Sequence, residues 1–591
     1  MKRILAPVIL ITLGFSASAT TMQSAADRII NQVDPATNIG ISVVDLTTGE
    51  TLYQRNSNRS FIPASNMKLF SDAAALMALG PDYHFQTKLT TNAVSLENGN
   101  LNGSVFIHLP GDPSLTQDEV KDLLRELSEW GVRNIHGNVV IVSNNRAVDA
   151  YAPGWVTKDL KYSYGAPLAP LVLDENRLTV TANPADKPGL PALVELSSPS
   201  GITINNQAKT NATGKGCGVG LNMNQDNVLT VSGCVGVGQW SVQQRIAILN
   251  PLRYAQEVVR TQLTELGISL NGQVILGNGT GNELLIATHN SKPITELMAD
   301  TLKPSDNLYA DSLFLHAAAK IHGTPLNWQD AQKVVKTFLQ QQTGVNLQNA
   351  VLTDGSGLSR QDLLTPEQTV GLLKFLHQKF PLSYEYIAAL PIAGIDGTLQ
   401  RRLKLPSQKG LVRAKTGTMT GIIGLSGYLY TANAHTLAFA IFINRTPKTN
   451  PNAAGKYRYL VDALCAFFLK QKPQNAIYGG ENPHGILSIH QKPTQIQLQR
   501  SHRAKWRNIE TSIKAALRGQ PVTILYRGDY LVLNDNNSDA NRVLSALQNL
   551  RKKTPFAIAL EDRTPPSGSR NQLLWVKANP KGRVWTIKEV V

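Results

Sequence analysis

Three short groups of residues carry side chains suited to acyl transfer: Ser65-Asn66-Met67-Lys68, Ser305-Asp306-Asn307 and Lys415-Thr416-Gly417. A serine hydroxyl is a poor nucleophile until a base removes its proton. Lys68 can be that base if its pKa falls, and a second cation such as Lys415, together with exclusion of water, pushes it down. Ser305 can relay a proton as a hydroxyl, and Asn307 can hold an amine and a substrate amide together. Each group alone is weak. A Ser-x-x-Lys arises about once or twice by chance in a chain of this size, and Ser-x-Asn recurs at Ser143-Asn144-Asn145. The order carries more weight, with Lys415 lying about 350 residues beyond the chain's only Ser-x-x-Lys.

These side chains need elements to hold them. Ile39 to Tyr53 alternates apolar and polar residues around Thr48-Gly49 and predicts a β-hairpin. Pro63-Ala64 opens a helix through Met67, Leu69, Phe70 and the alanines 73–75 to Leu79, where Gly80-Pro81 ends it. Ser65 then sits in the first turn, near the positive end of the helix dipole, with Lys68 one turn on and on the same face. Helical periodicity resumes over Ile294–Met298 and again after Ser305 through Leu308, Leu313, Phe314 and Ala317. Leu411 to Lys415 predicts a strand leading into a turn at Gly417. Strands over Ile422–Tyr430 and Thr436–Ile443 follow, joined over Asn433-Ala434, and a closing helix spans about 455–470. Helices against one antiparallel sheet make an α/β (α+β) sandwich.

Residues 20–86 and 296–470 form this catalytic domain. Between them, 87–295 predicts an inserted, mostly β region with one clear helix near Gln117–Trp130 and an inner subdomain over about 176–244. After a polar linker, residues 471–591 predict a separate small α/β domain. It has helices near Ile509–Leu517 and Ala540–Leu550, a hairpin over Arg527-Gly528-Asp529, and strands near Phe556–Leu560, Leu573–Val576 and Val584–Ile587. No catalytic signature occurs in it, and Trp506, Trp575 and Trp585 are more often core than ligand platform.

Composition narrows the function further. A chain of 591 residues is too long for one core. Met1-Lys2-Arg3, the apolar Ile4–Phe15 and Ala17-Ser18-Ala19 make an export signal (1–19) to be cleaved after Ala19, leaving a soluble mature protein outside the cytoplasm. Cys217 and Cys234 flank a strand-like stretch where an oxidising compartment would let them close a disulfide; Cys465 predicts a buried small side chain. The eleven histidines show no His-Glu-x-x-His spacing, so neither a metal nor another cofactor is expected. Of the net charge of +16, about eleven positive charges fall in the last fifth of the chain. For an exported protein, anionic lipid, anionic glycan or the cell wall is a better partner than nucleic acid, and a solvated basic surface with no partner is the plain alternative.

With Gly111-Asp112-Pro113, Gly154-Trp155, Asp354-Gly355-Ser356-Gly357-Leu358-Ser359-Arg360, Ala414-Lys415-Thr416-Gly417-Thr418 and Leu425-Ser426-Gly427-Tyr428, residues about 23–470 resemble the class C low-molecular-mass penicillin-binding proteins, the D-alanyl-D-alanine carboxypeptidase/endopeptidase family. The long insertion is typical of that family; the basic C-terminal domain is not. The resemblance implies a penicillin-binding/β-lactamase-like transpeptidase fold, peptidoglycan peptides as substrate, β-lactams as inhibitors and a periplasmic location. It makes Ser65 the nucleophile, and gives Lys415, Thr416 and Thr418 the terminal D-alanine carboxylate. It makes the N–H groups of Ser65 and Thr418 the oxyanion hole, with Gly417 allowing close approach. It also places Asp159, Tyr164, Arg360 and Met419 where that family contacts the diamino acid of the peptide. The alternatives are a β-lactamase sharing the three motifs and a wall-binding scaffold with an inactive enzyme domain.

Overall fold

The computed structural model describes residues 15–33, 35–198, 201–213, 216–432, 434–444 and 453–470, and the strands 522–527, 530–535, 556–563 and 571–578. The chain divides into two compact units, Met1–Lys472 and Pro473–Val591.

The first unit is organised by a five-stranded antiparallel sheet. Its strands are β1 (Asn38–Asp45), β2 (Thr51–Arg55), β3 (Val412–Met419), β4 (Ile422–Tyr430) and β5 (Thr436–Asn444), in the spatial order β3-β4-β5-β1-β2. Gly49 turns β1 into β2 with a φ of +80°, a conformation that costs glycine little. β4 and β5 are buried on both faces, which explains their near-continuous apolar sequence. One face packs on the helix Ala453–Leu469 and on Ala26 and Ile30 of the helix Phe15–Ile30. That N-terminal helix spans Ala19, where cleavage is expected; residues 1–14 of the export signal lie outside the described residues. The opposite core holds the helices Lys68–Leu79, Ile294–Leu302, Asn307–His322, Trp328–Thr343 and Pro366–Gln378. Leu69, Phe70 and Leu76 are fully buried there, each removal from water stabilising the fold by about 1.5–3 kcal/mol.

β3 departs from the sequence reading. The chain does not turn at Gly417; Thr416, Gly417 and Thr418 stay in register with Leu425, Gly424 and Ile423, and the reversal comes at Gly421 (φ +81°). A glycine inside a strand signals close approach as readily as a turn, and here the approach is what it serves.

The insertion contains more helix than expected. Its outer part is a five-stranded sheet in the order Val274–Leu276, Val139–Ser143, Val105–Leu109, Gln86–Thr91, Leu284–Asn290, with the first three parallel. Parallel neighbours need crossover connections. Gln117–Glu129 supplies one, and Pro251–Glu265, absent from the sequence reading, lies in the other. Its signals were present: an Asn250 cap, Pro251 at the first position, and Tyr254, Val258 and Leu263 facing inward. In the inner part, residues 177–247, the regular elements among the described residues are all strands. In it Gly218–Met223 pairs with Val228–Gly236, and Cys217 is disulfide-bonded to Cys234 with a Cα–Cα distance of 5.1 Å. Cys465 is fully buried, and burial raises its thiol pKa.

In the second unit, four antiparallel strands order as Val522–Arg527, Tyr530–Asp535, Asn571–Ala578, Phe556–Arg563, with Arg527 opposite Tyr530 at the expected hairpin. The linker, both helices expected near 509–517 and 540–550, the strand near 584–587, Trp506 and Trp585 lie outside the described residues.

Candidate active site

Ser65 lies in a one-turn 3-10 helix, Ala64–Met67, that feeds directly into Lys68–Leu79. Ala64, just before it, has a φ of +47°, a left-handed conformation costing a non-glycine residue about 1–2 kcal/mol. The surroundings enforce it. Gly357 (φ +78°) packs so closely on the Ala64 carbonyl that no side chain fits at 357. A Cβ at Gly417 would stand 2.5 Å from Asn66 Nδ2 and 2.7 Å from Pro63 O. β3 therefore runs against the nucleophile's turn, with Gly417 as the contact.

The three motifs meet. Lys68 Nζ is 3.1 Å from Ser65 Oγ, 2.7 Å from Asn307 Oδ1 and 2.7 Å from Ser356 O. Lys415 Nζ is 2.7 Å from Ser305 Oγ and 3.0 Å from Thr416 O. Asn307 uses its other end to donate to Tyr164 O at 2.8 Å. Ser305 has a φ of +67°, and Asp306 caps the following helix by accepting from Tyr309 N. Asp306 Oδ2 also accepts from Arg177 Nη1 at 2.7 Å.

Both lysines are fully buried, whereas Ser65 is half-buried. Burial lowers Lys68 to about 8, held up by the carboxylates of Asp311, Asp354, Asp306 and Asp72. Lys415 is also driven well down, by burial first and then by Lys68. Desolvation thus lowers Lys68, and the cationic neighbour expected to do so is felt at Lys415 instead. A buried amine near 8 is neutral in a useful fraction at neutral pH and can accept a proton from Ser65.

The sequence reading missed the support beneath the base. Asp354 accepts from Gly357 N (2.6 Å), Ser359 N (2.8 Å) and Trp155 Nε1 (2.8 Å). Asp311, one turn after Asn307, accepts from Gly355 N (2.8 Å) and Ser356 N (2.9 Å). These bonds aim the Ser356 carbonyl at Lys68. The motif Asp354–Arg360 had supplied only Arg360, yet its acid at the start of a Gly-Ser-Gly turn was the available signal.

The substrate-side residues are less tightly held. Thr416 Oγ1 bonds Thr398 Oγ1 at 2.8 Å; Thr418 is exposed and Met419 half-buried at the end of β3. Tyr164 OH donates to Asp159 Oδ1 at 3.1 Å, and Tyr162 stacks on Tyr164 at 5.4 Å between ring centroids. Arg360 Nη1 is 3.5 Å from Thr420 O, beside Met419. Asp159 and Tyr164 are thus tied to Asn307, and Arg360 to the β3–β4 turn. Among the described residues no group of three or more His, Cys, Asp or Glu side chains can hold a metal, and no helix is long and apolar enough to cross a membrane.

The family model for the D-Ala-D-Ala carboxypeptidase 3 (S13) family matches residues 22–463. The chain belongs to that family. Its enzyme class is the serine-type D-alanyl-D-alanine carboxypeptidase. The D-alanyl-D-alanine carboxypeptidase DacB of Haemophilus influenzae is 29% identical over 440 residues, 74% of this chain and 91% of the relative. A D-alanyl-D-alanine carboxypeptidase of Actinomadura sp. (strain R39) is 30% identical over 447 residues, 72% and 82%. The crystal structure of penicillin binding protein 4 from H. influenzae superposes with a TM-score of 0.69 at 28% identity, covering 76% of this chain and 99% of that one. The S13 unit therefore has the penicillin-binding/β-lactamase-like fold.

Proposed function

We propose that this S13 enzyme acts on peptidoglycan stem peptides through an acyl-Ser65 intermediate, as a carboxypeptidase on terminal D-Ala-D-Ala and as an endopeptidase on D-Ala–diamino-acid cross-links. The observation that carries the reading is the run of contacts that ties the three motifs together: Lys68 Nζ to the half-buried Ser65 Oγ and to Asn307 Oδ1, and Lys415 Nζ to Ser305 Oγ. In the reaction, Lys68 takes the Ser65 proton as Oγ attacks the penultimate D-alanyl carbonyl. The N–H groups of Ser65 and Thr418 receive the developing oxyanion. Ser305 passes a proton to the leaving nitrogen, and the C–N bond breaks. Water, deprotonated along the same route, then releases Ser65. Lys415, Thr416 and Thr418 hold the terminal carboxylate, and Asn307 the substrate amide. Asp159, Tyr164, Arg360 and Met419 meet the diamino-acid side chain, whose zwitterionic end suits one anion and one cation.

The enzyme works in the periplasm after removal of residues 1–19, with no cofactor and no nucleic-acid partner. β-Lactams acylate the same serine; the relative from H. influenzae has been solved in complex with a novel β-lactam. The basic second unit contacts an anionic wall or membrane surface. Mass spectrometry after benzylpenicillin tests the chemistry: one long-lived adduct on Ser65 is expected, lost in Ser65→Ala. An unlabelled Ser65 in folded protein overturns the reading, and rapid turnover of the drug favours a β-lactamase. Hydrolysis of a D-alanyl-D-alanine peptide, absent in Ser65→Ala, excludes the inactive scaffold, and a cross-linked dimer digested to monomers establishes the endopeptidase.

A further inference from the structure

Asn66, the residue after the nucleophile, is fully buried and neither gives nor takes a proton in the reaction. Its hydrogen bonds fix which way the carboxamide faces. Nδ2 donates to Pro63 O at 2.9 Å, and the Asn66 backbone N–H approaches the same carbonyl at 3.3 Å. Oδ1 has no hydrogen-bond partner among the described residues. A side chain that served only to fill this space would be better apolar, since a buried carbonyl oxygen without a partner costs stability. What the amide adds is the bond that holds the Pro63 carbonyl, next to the left-handed Ala64.

The same carboxamide lies against two strands. Gly417 of β3 and Gly424 of β4 are partners across the ladder, so their missing side chains leave one shared hollow. A Cβ at Gly417 would stand 2.5 Å from Asn66 Nδ2, and one at Gly424 would collide with that same atom. Apart from Asn66, the nearest atom to a Cβ at Gly424 is Phe442 Cδ1 at 3.3 Å, so Asn66 is what fills the hollow there. These contacts bracket the two oxyanion donors. The Ser65 N–H shares its peptide plane with the Ala64 carbonyl, and the Thr418 N–H shares its plane with the Gly417 carbonyl. Gly357 packs on the Ala64 carbonyl, and Asn66 meets β3 one residue before Thr418.

We propose that Asn66 is the spacer of the oxyanion hole: its carboxamide, bonded to Pro63 O and seated on Gly417 and Gly424, sets the separation between the Ser65 and Thr418 N–H groups. It is a positioning residue, acting through both donors. The proposal rests on those two N–H groups forming the oxyanion hole. Such a hole acts on charge that develops in the transition state, so a change in its width falls on the rate and spares ground-state binding.

In full-length enzyme with titrated active sites, Asn66→Ala should lower kcat on a D-alanyl-D-alanine peptide about thirtyfold or more and leave KM within about threefold. A boronic acid that adds to Ser65 Oγ as a tetrahedral anion should lose affinity by a similar factor, because its oxygen takes the oxyanion's place. Gly424→Ala drives a methyl into the carboxamide and should cost kcat about as much. It is a cleaner partner than Gly417→Ala, whose methyl also meets Pro63 O at 2.7 Å. In Asn66→Ala/Gly424→Ala the methyl enters vacated space, so adding it should cost less than about threefold. Losses that multiply, a fall shown in KM alone, or an unchanged boronic acid affinity overturns the proposal. Should the variants not fold, a crystal structure of the wild-type boronic acid adduct decides. An oxygen between Ser65 N and Thr418 N, with the carboxamide seated on both glycines, is expected. A carboxamide swung away from Pro63 O and the glycines, while both donors still hold the oxygen, overturns the spacer. An adduct oxygen bound elsewhere strikes the oxyanion assignment itself, and the proposal with it, so the two failures are told apart.

Discussion

Two parts of the site are built on opposite terms. The reaction centre is buried and over-connected: Lys68 has three hydrogen bonds and four carboxylates around it, and Lys415 is sealed from solvent beside it. The side-chain pocket is open, with Tyr164 exposed, a single 3.1 Å bond to Asp159, and Arg360 at 3.5 Å from a turn carbonyl. Removing water itself lowers both lysines at the centre and strengthens the effect of each neighbouring charge on them. In the pocket, solvent screens charges until a ligand excludes it, leaving about 0–1 kcal/mol per exposed pair. The centre should therefore govern whether reaction occurs, and the pocket which peptide is chosen.

The largest expected effect tests the centre. Lys68→Met should lower Ser65 acylation by benzylpenicillin by about 10³-fold or more, followed by stopped-flow absorbance. In wild type the neutral amine is the base, so acylation should rise with pH up to about 8 and then level. A rate flat from pH 6 to 9 would remove Lys68 from that role. Gly417→Ala comes next. A methyl placed 2.5 Å from Asn66 Nδ2 must push β3 away from the nucleophile's turn, costing about 1–3 kcal/mol in stability and about a hundredfold in acylation. Thermal unfolding and the acylation rate report the two losses, and wild-type values for both would show that the contact is not needed.

The pocket should respond more gently. Asp159→Asn and Arg360→Ala should each raise KM about tenfold for peptides bearing the diamino-acid side chain. They should leave acylation by benzylpenicillin within about twofold of wild type. A large fall in acylation would merge pocket and centre into one unit. The smallest effect concerns the second unit: deleting Pro473–Val591 should leave hydrolysis of soluble peptide nearly unchanged while weakening sedimentation with isolated sacculi. In the intact protein that binding should fall steeply with salt, because surface attraction is screened within about 10 Å at 0.1 M. Loss of enzyme stability on deletion, with salt-insensitive binding, would make the unit a packing element.

Local pattern determined a good deal of this protein. The helix behind Ser65, the hairpin over β1 and β2, the strands of β4 and β5 and the order of the three motifs follow from periodicity, caps and turns, which act within a few residues. The same rules placed Ser65 and Lys68 within reach of each other, since i and i+3 share a helix face. They failed at Gly417, where a glycine serves a neighbour from another part of the chain, and at Pro251–Glu265, whose caps and inward-facing stripe were legible but outweighed by the strand-rich stretch around them. What only tertiary structure decided is the charge state of the site. Asn307 reaches Lys68 across 239 residues of chain, Ser356 across 288, and Lys415 reaches Ser305 across 110. Burial, the largest influence on both lysines, belongs to the assembled core and to no segment of sequence. Asp72 shows the limit most plainly: in the sequence it is one polar residue before an alanine run, and only packing turns it into a fully buried carboxyl, without a hydrogen-bond partner among the described residues and pushed well above the usual carboxylate range, because desolvation is a property of everything that surrounds a side chain.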